Sequence, residues 1–171
     1  MESVDSDSSL DRASRPNRVS PRLDDLDRRL LAELVRDGRT PNNVLAERLG
    51  IAPSTCLIRT RNLRERGVIR GFRADVDHSK VGADLQAIVS IRVRPSARAG
   101  LLELGRRLAG EPGVLNVFFI AGAFDFLVHV VAPDTEGIRD FVALNLSAAP
   151  EIETTQTSLV FEHIPGTGTW P

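Results

Sequence analysis

The sequence predicts an α+β protein in two parts, and three observations carry that prediction. Apolar residues recur at helical spacing from Asp24 to Arg66, and positive charge gathers between Arg59 and Arg73. From Ala87 onward a two-residue alternation appears, interleaved with further helical periods. At 171 residues with 42% hydrophobic content, the chain has material for two small cores.

The first part reads as three helices. Leu26, Leu30, Leu31, Leu34 and Val35 form the stripe of a helix over Asp24 to Asp37, with Asp24 and Asp25 at its positive N-terminal end and Gly38 as its stop. Thr40 is the expected N-cap of the second helix and Pro41 its first helical residue. Val44, Leu45, Ala46 and Leu49 make the short stripe that ends at Gly50. Only a sharp turn fits before Pro53, after which Ser54 to Arg66 run unbroken to Gly67. Helix, tight turn, helix is a DNA-binding arrangement in which the last helix is the recognition helix.

On a helical wheel Cys56, Thr60, Leu63 and Gly67 face inward, while Ser54, Ile58, Arg61, Asn62 and Glu65 face outward, flanked by Thr55, Leu57 and Arg59. The outward set offers hydroxyl, guanidinium and amide groups to base edges and phosphates, and Ile58 suits a thymine methyl. Arg59 to Arg73 holds six arginines, including Arg70, against one acid, a local charge of plus five. Ala74 to Pro171 holds seven basic and twelve acidic residues, a charge of minus five, and the whole chain is minus one. Cations thus gather where a phosphate backbone would lie. The run Val68, Ile69, Gly71, Phe72, Ala74, Val76 predicts a short hairpin or extended arm, which makes the module a winged helix-turn-helix over 22–76.

A hinge over 77–86, centred on Lys80, Val81 and Gly82, leads into the second part. Ala87, Val89, Ile91 and Val93 alternate with Ile88, Ser90, Arg92 and Arg94 as a strand. Ala97 to Gly110 is an amphipathic helix built on Leu101, Leu102, Leu104 and Leu108. Val114 to Ala121 and Phe124 to Val131 are paired strands joined at Gly122 and Ala123. Asp134 to Ala148 is a helix around Ile138, Phe141, Val142 and Leu144, and Ile152 to Ile164 a last strand. This βαββαβ order over 87–164 is ferredoxin-like, with both helices on one sheet face. The bare face carries apolar strands that a second subunit is expected to cover, giving a homodimer or a larger even assembly.

The sequence excludes several classes. Cys56 is the single cysteine, so no disulfide framework or multi-cysteine metal site forms within one chain; burial as a small apolar residue is the expected role, a redox-sensing thiol the alternative. His78, His129 and His163 have no metal-ligand spacing, tyrosine is absent, and no catalytic triad, phosphate loop or paired-carboxylate motif occurs. The chain therefore reads as no enzyme, with neither metal nor cofactor. Val114 to Ala132 is interrupted by Asn116, Gly122, Asp125 and His129, so no membrane span is expected. Residues 1–21, rich in Ser, Asp and Arg, read as a disordered tail rather than a signal peptide, and 165–171 as a C-terminal tail, which suits the cytoplasm.

The Leu-Asp-Asp-Leu-Asp-Arg-Arg-Leu-Leu opening at Leu23, Leu-Ala-Glu-Arg-Leu-Gly-Ile at Leu45, the Arg61 to Phe72 run and Gly-Ala-Phe-Asp-Phe at Gly122 stand in one order. Together they resemble the Lrp/AsnC (leucine-responsive regulator/asparagine regulator) family of transcription factors, over about Leu23 to Ile164. The resemblance implies a regulator that binds double-stranded DNA, dimerises through the second domain and often forms octamers, with an amino acid or similar metabolite as effector. It places that effector between dimers at Gly122, Ala123, Phe124 and Asp125, and Thr155, Gln156 and Thr157 could add polar contacts. A turn requirement at Gly122 and a turn or edge hydrogen bond at Asp125 account for those residues nearly as well. Two departures stand out: Ala52 holds the usual Ser or Thr cap position before the recognition helix, leaving the cap missing or moved to Ser54, and Thr60 replaces an aliphatic core residue. An architectural DNA-binding protein with no effector would need the same assembly, and a cofactor-free enzyme on a ferredoxin-like dimer is the remaining, remote alternative.

Overall fold

A computed structural model describes residues 22–164 and 166; the predicted N-terminal tail, and all of the C-terminal tail except Gly166, lie outside them. The chain divides between Arg73 and Ala74 into two units.

In the first unit, α1 (Asp25–Arg36), α2 (Asn42–Leu49) and α3 (Pro53–Glu65) enclose Leu30, Leu34, Leu45, Ala46, Leu49, Cys56 and Leu63. The Asp24 carboxylate caps α1 by accepting from the Asp27 N–H at 2.7 Å. One cap differs from expectation, and of the two readings of the next, the missing cap holds. The Thr40 hydroxyl donates back to the Asp37 carbonyl instead of reaching forward, and Pro41 stands just outside α2. Ala52 occupies the N-cap of α3 in extended backbone with no side-chain cap, and Ser54 lies inside the helix. The helical wheel of α3 holds for three of its four inward residues, since Cys56 and Leu63 are fully buried and the half-buried Thr60 donates its hydroxyl to the Cys56 carbonyl at 3.0 Å, whereas Gly67 lies past the helix end and is exposed. That bond satisfies the Thr60 hydroxyl within the helix itself.

Of the two readings of Val68 to Val76, the hairpin does not form. Val68 and Ile69 turn inward against the three-helix core, their N–H groups both donating to the Leu63 carbonyl, so neither edge is left to start a ladder. Gly71 to Val76 continue as an exposed arm.

The second unit opens with a 3-10 turn at His78–Val81, capped by Asp77. β1 (Leu85–Val93), α4 (Leu101–Ala109), β2 (Val114–Phe119), β3 (Phe126–Ala132), α5 (Thr135–Phe141) and β4 (Ile152–Val160) follow, as the βαββαβ reading requires. The sheet order is β2-β3-β1-β4, all antiparallel. Ala87, Val89, Ile91, Val93, Phe126, Val128 and Val130 form one buried face under Leu104, Leu108, Ile138 and Leu146. Gly113, in the turn just before β2, has φ +80, and a Cβ there would lie 2.7 Å from the Val131 carbonyl oxygen, so only glycine permits that approach.

Several boundaries shift. Pro95–Gly100 form a 3-10 turn before α4, and Phe161 to Ile164 leave the sheet. After α5 the chain widens into π-helical turns over Val142–Ser147, which advances the phase: Leu146 is buried, and Leu144, expected in the core, is 74% exposed.

Candidate DNA-binding and effector sites

The outward face of α3 exists because Cys56 and Leu63 anchor the opposite side in the three-helix core. Ser54, Thr55, Ile58, Arg61 and Asn62 are exposed on it, and Ile58 is 59% exposed despite its apolar side chain. Arg61 pairs through Nε with Glu65 one turn on, at 2.8 Å, and with Arg64, Ile69 and Arg70 lines a shallow hollow beside the helix. Asn42, which sequence reasoning passed over, donates from Nδ2 to the Pro53 carbonyl at 2.8 Å and ties α2 to the start of α3. An amide at the first residue of a helix was the only available signal.

Arg59 is placed differently from the rest of the expected DNA-binding set. Its Nη1 donates to Asp24 Oδ2 at 2.7 Å and to Asp27 Oδ1 at 2.8 Å, so the guanidinium faces α1. Asp27 is 6% exposed and also lies 3.9 Å from Arg66, which bonds the Arg22 carbonyl. The Asp27 N–H and then Arg59 hold the Asp24 carboxyl below its ordinary range, while Asp24 and Asp27 push the Arg59 guanidinium up. Burial pushes the Cys56 thiol up as well, so thiolate chemistry is disfavoured and the redox-sensing alternative weakens.

At the second candidate site the β2–β3 connection is shaped by Gly122, whose φ of +135 only glycine readily adopts, while space around a Cβ there is open. The backbone turn accounts for this glycine. The Ala123 carbonyl accepts from Arg92 Nε at 2.9 Å, and the Arg92 guanidinium carbon lies 5.9 Å from the Phe124 ring centroid. Asp125 Oδ2 accepts from the Val93 N–H at 2.8 Å, its Oδ1 lies 3.5 Å from Arg98, and its own N–H donates to the Ile91 carbonyl. This carboxylate ties the hairpin to the end of β1, the edge hydrogen bond that was the alternative to ligand contact. Thr155, Gln156 and Thr157 do not converge: Thr155 and Thr157 oppose Ile91 and Val89 on the helix-covered side, and Gln156 opposes Ser90 on the bare face. β1 stands between them and the hairpin strand β3.

The histidines, scattered in sequence, gather on this unit. His129 is 8% exposed on the bare face, its Nε2 is 2.9 Å from Gln86 Oε1, and its ring meets His163 edge-on at 6.0 Å. Burial, then His163 and His78, lower the His129 pKa. Among the described residues no group of three His, Cys, Asp or Glu side chains could hold a metal, and no helix is long and apolar enough to cross a membrane.

Comparison with known proteins joins the two units. Residues 23–70 match the model of a winged helix-turn-helix DNA-binding domain, and residues 86–169 that of the Lrp/AsnC ligand-binding domain. The HTH-type transcriptional regulator AldR of Mycolicibacterium smegmatis is 49% identical over 84% of this chain and 84% of its own. The Leucine-responsive regulatory protein of Rhizobium meliloti is 38% identical over 85% and 94%. The crystal structure of MtbAldR superposes with a TM-score of 0.72 at 45% identity, covering 84% of this chain and 98% of that one. A Neisseria meningitidis transcriptional regulator solved as an L-Met complex superposes with a TM-score of 0.78 at 29% identity, covering 88% and 97%. These relatives are regulators and not enzymes, and the chain belongs to the Lrp/AsnC family of DNA-binding transcriptional regulators.

Proposed function

We propose that this regulator reads specific sequences as a homodimer and changes its DNA binding when an amino acid or related metabolite occupies the Gly122 to Asp125 region. The observation that carries the reading is the outward face of α3, where Ser54, Thr55, Ile58, Arg61 and Asn62 are exposed together. These side chains enter the major groove, and Arg70 contacts the backbone beside it. One such helix covers only a few base pairs, so two copies related by a two-fold axis read a palindromic site. The bare sheet face, with Ile88, Leu127 and Phe118, is the dimerisation surface, and dimers join into octamers in the cytoplasm.

The effector reading draws on the L-Met complex of the Neisseria relative. With Asp125 engaged by Val93 and Arg98, recognition at this hairpin rests on backbone groups and on Phe124. Footprinting of the full chain on DNA upstream of its own gene tests the DNA half. Protected patches about one helical turn apart are expected; only general, salt-sensitive binding would count against it. Thermal melts with each amino acid test the other half, since a ligand that binds the native state raises Tm. No shift with any of them would favour the architectural role.

A further inference from the structure

Six arginines lie between Arg59 and Arg73, yet they are not equally available to a phosphate backbone. Arg59 is held by two carboxylates at 2.7 and 2.8 Å, and the nearer of these residues in burial, Asp27, is almost completely enclosed between α1 and α3. Arg66 leans on the same Asp27 at 3.9 Å and on the Arg22 carbonyl. Thr55, Ile58, Arg59, Asn62, Arg66 and Asp27 line one hollow, so this clamp borders the base-reading face itself. The two acids are the N-cap and a first-turn residue of α1, which itself uses only one carboxylate: Asp24 caps the helix through Oδ1 and gives its other oxygen to Arg59.

We propose that Asp24 and Asp27 are specificity-determining residues of the DNA-binding unit: by occupying Arg59 and flanking Arg66 they withhold cations from any phosphate backbone. Sequence-independent attraction scales with the number of phosphates neutralised, whereas base readout does not. An acid pair that removes one or two cations from the first sum leaves the groove-reading side chains intact. The gap between operator and random DNA widens. The same acids brace α1 against α3, but bracing alone predicts no change in the salt dependence of binding, and that separates the two roles.

The inference rests on the sequence-specific reading above, and the test keeps the two apart. A duplex enriched from random DNA by the full-length wild-type chain, and a scrambled duplex of equal composition, are titrated over a potassium chloride series. Asp24→Asn is the principal variant, because the site is exposed and Asn caps a helix as well as Asp. On the scrambled duplex it is expected to bind about threefold to tenfold more tightly, with a log–log salt slope steeper by up to about one unit. The operator-to-scrambled ratio falls by a similar factor. Adding Arg59→Ala to Asp24→Asn is expected to restore the wild-type slope, while Arg59→Ala alone leaves that slope unchanged. Asp27→Asn, buried and liable to perturb folding, is read only as reinforcement of the same trend. A wild-type slope in Asp24→Asn, or a steeper slope that survives Arg59→Ala, overturns the proposal. Failure to enrich any duplex overturns sequence-specific reading instead, and the slope on scrambled DNA still decides the role of the acids.

Discussion

Asp125 illustrates how one side chain settles the shape of a candidate site. Its carboxylate takes the Val93 N–H at the end of β1 and faces Arg98, so truncation leaves a half-buried donor without its acceptor. Asp125→Ala is expected to cost about 2 kcal/mol in urea unfolding, the range for a hydrogen bond to a charged group. A variant as stable as the wild type would show that solvent replaces the carboxylate there. His129 carries the pH dependence near neutrality. Its pKa is lowered in the fold, so below the ordinary value of 6.5 the unfolded chain gains a proton that the folded chain resists. Stability is therefore full above that value, falls as pH drops through it, and levels once folded His129 is charged too. The slope stays below the one-proton limit of about 1.4 kcal/mol per pH unit. His129→Gln, which keeps an amide donor for Gln86, is expected to flatten the difference between unfolding at about pH 7.5 and at about pH 5.5. An undiminished slope would assign it to other groups.

At the scale of elements, α3 begins without a cap, as the sequence indicated: Ala52 has extended backbone and no side-chain acceptor. Ala52→Ser supplies a hydroxyl for the N–H of Ser54 or Thr55 and is expected to add about 1 kcal/mol of stability. The denaturant midpoint of the full chain reports it; an unchanged midpoint would mean that water already serves those donors. What could be read from sequence was whatever depended on near neighbours. The 3.6-residue stripes, Leu30 with Leu34 and Leu45 with Leu49, and the alternation of Ala87 to Val93 are local, and they mark residues that the fold buries. What could not be read depended on distant partners. The bulges at Arg92/Val93 and between Val114 and Asn116 follow from strand registers. The loss of the hairpin follows from Val68 and Ile69 both bonding the Leu63 carbonyl. Arg59 looked like a free cation because its partners stand 35 and 32 residues earlier in the chain. The hairpin glycine and carboxylate were legible as a pair of readings, and geometry supplies the structural one for each.

For the whole molecule, the sheet supplies the argument for assembly. One face is sealed by Leu104, Leu108, Ile138 and Leu146, whereas the other offers Ile88, Leu127, Val131 and Phe118 among Gln86, Ser90, Asn116 and His129. Phe118 is 51% exposed within a single chain, so its ring adds little to the monomer's own core, and a charge placed there acts mainly on whatever covers it. Phe118→Asp is accordingly expected to preserve the far-ultraviolet circular dichroism spectrum while lowering the mass found by sedimentation from a dimer or octamer to a monomer. Because two linked recognition helices bind far more tightly than one, operator affinity should drop by roughly 100-fold. General affinity for DNA should fall too, with a shallower salt slope, because a monomer neutralises fewer phosphates than a dimer does. A Phe118→Asp protein that sediments as the wild type does would place the dimer contact elsewhere, and the apolar residues of the bare face would then need a different partner.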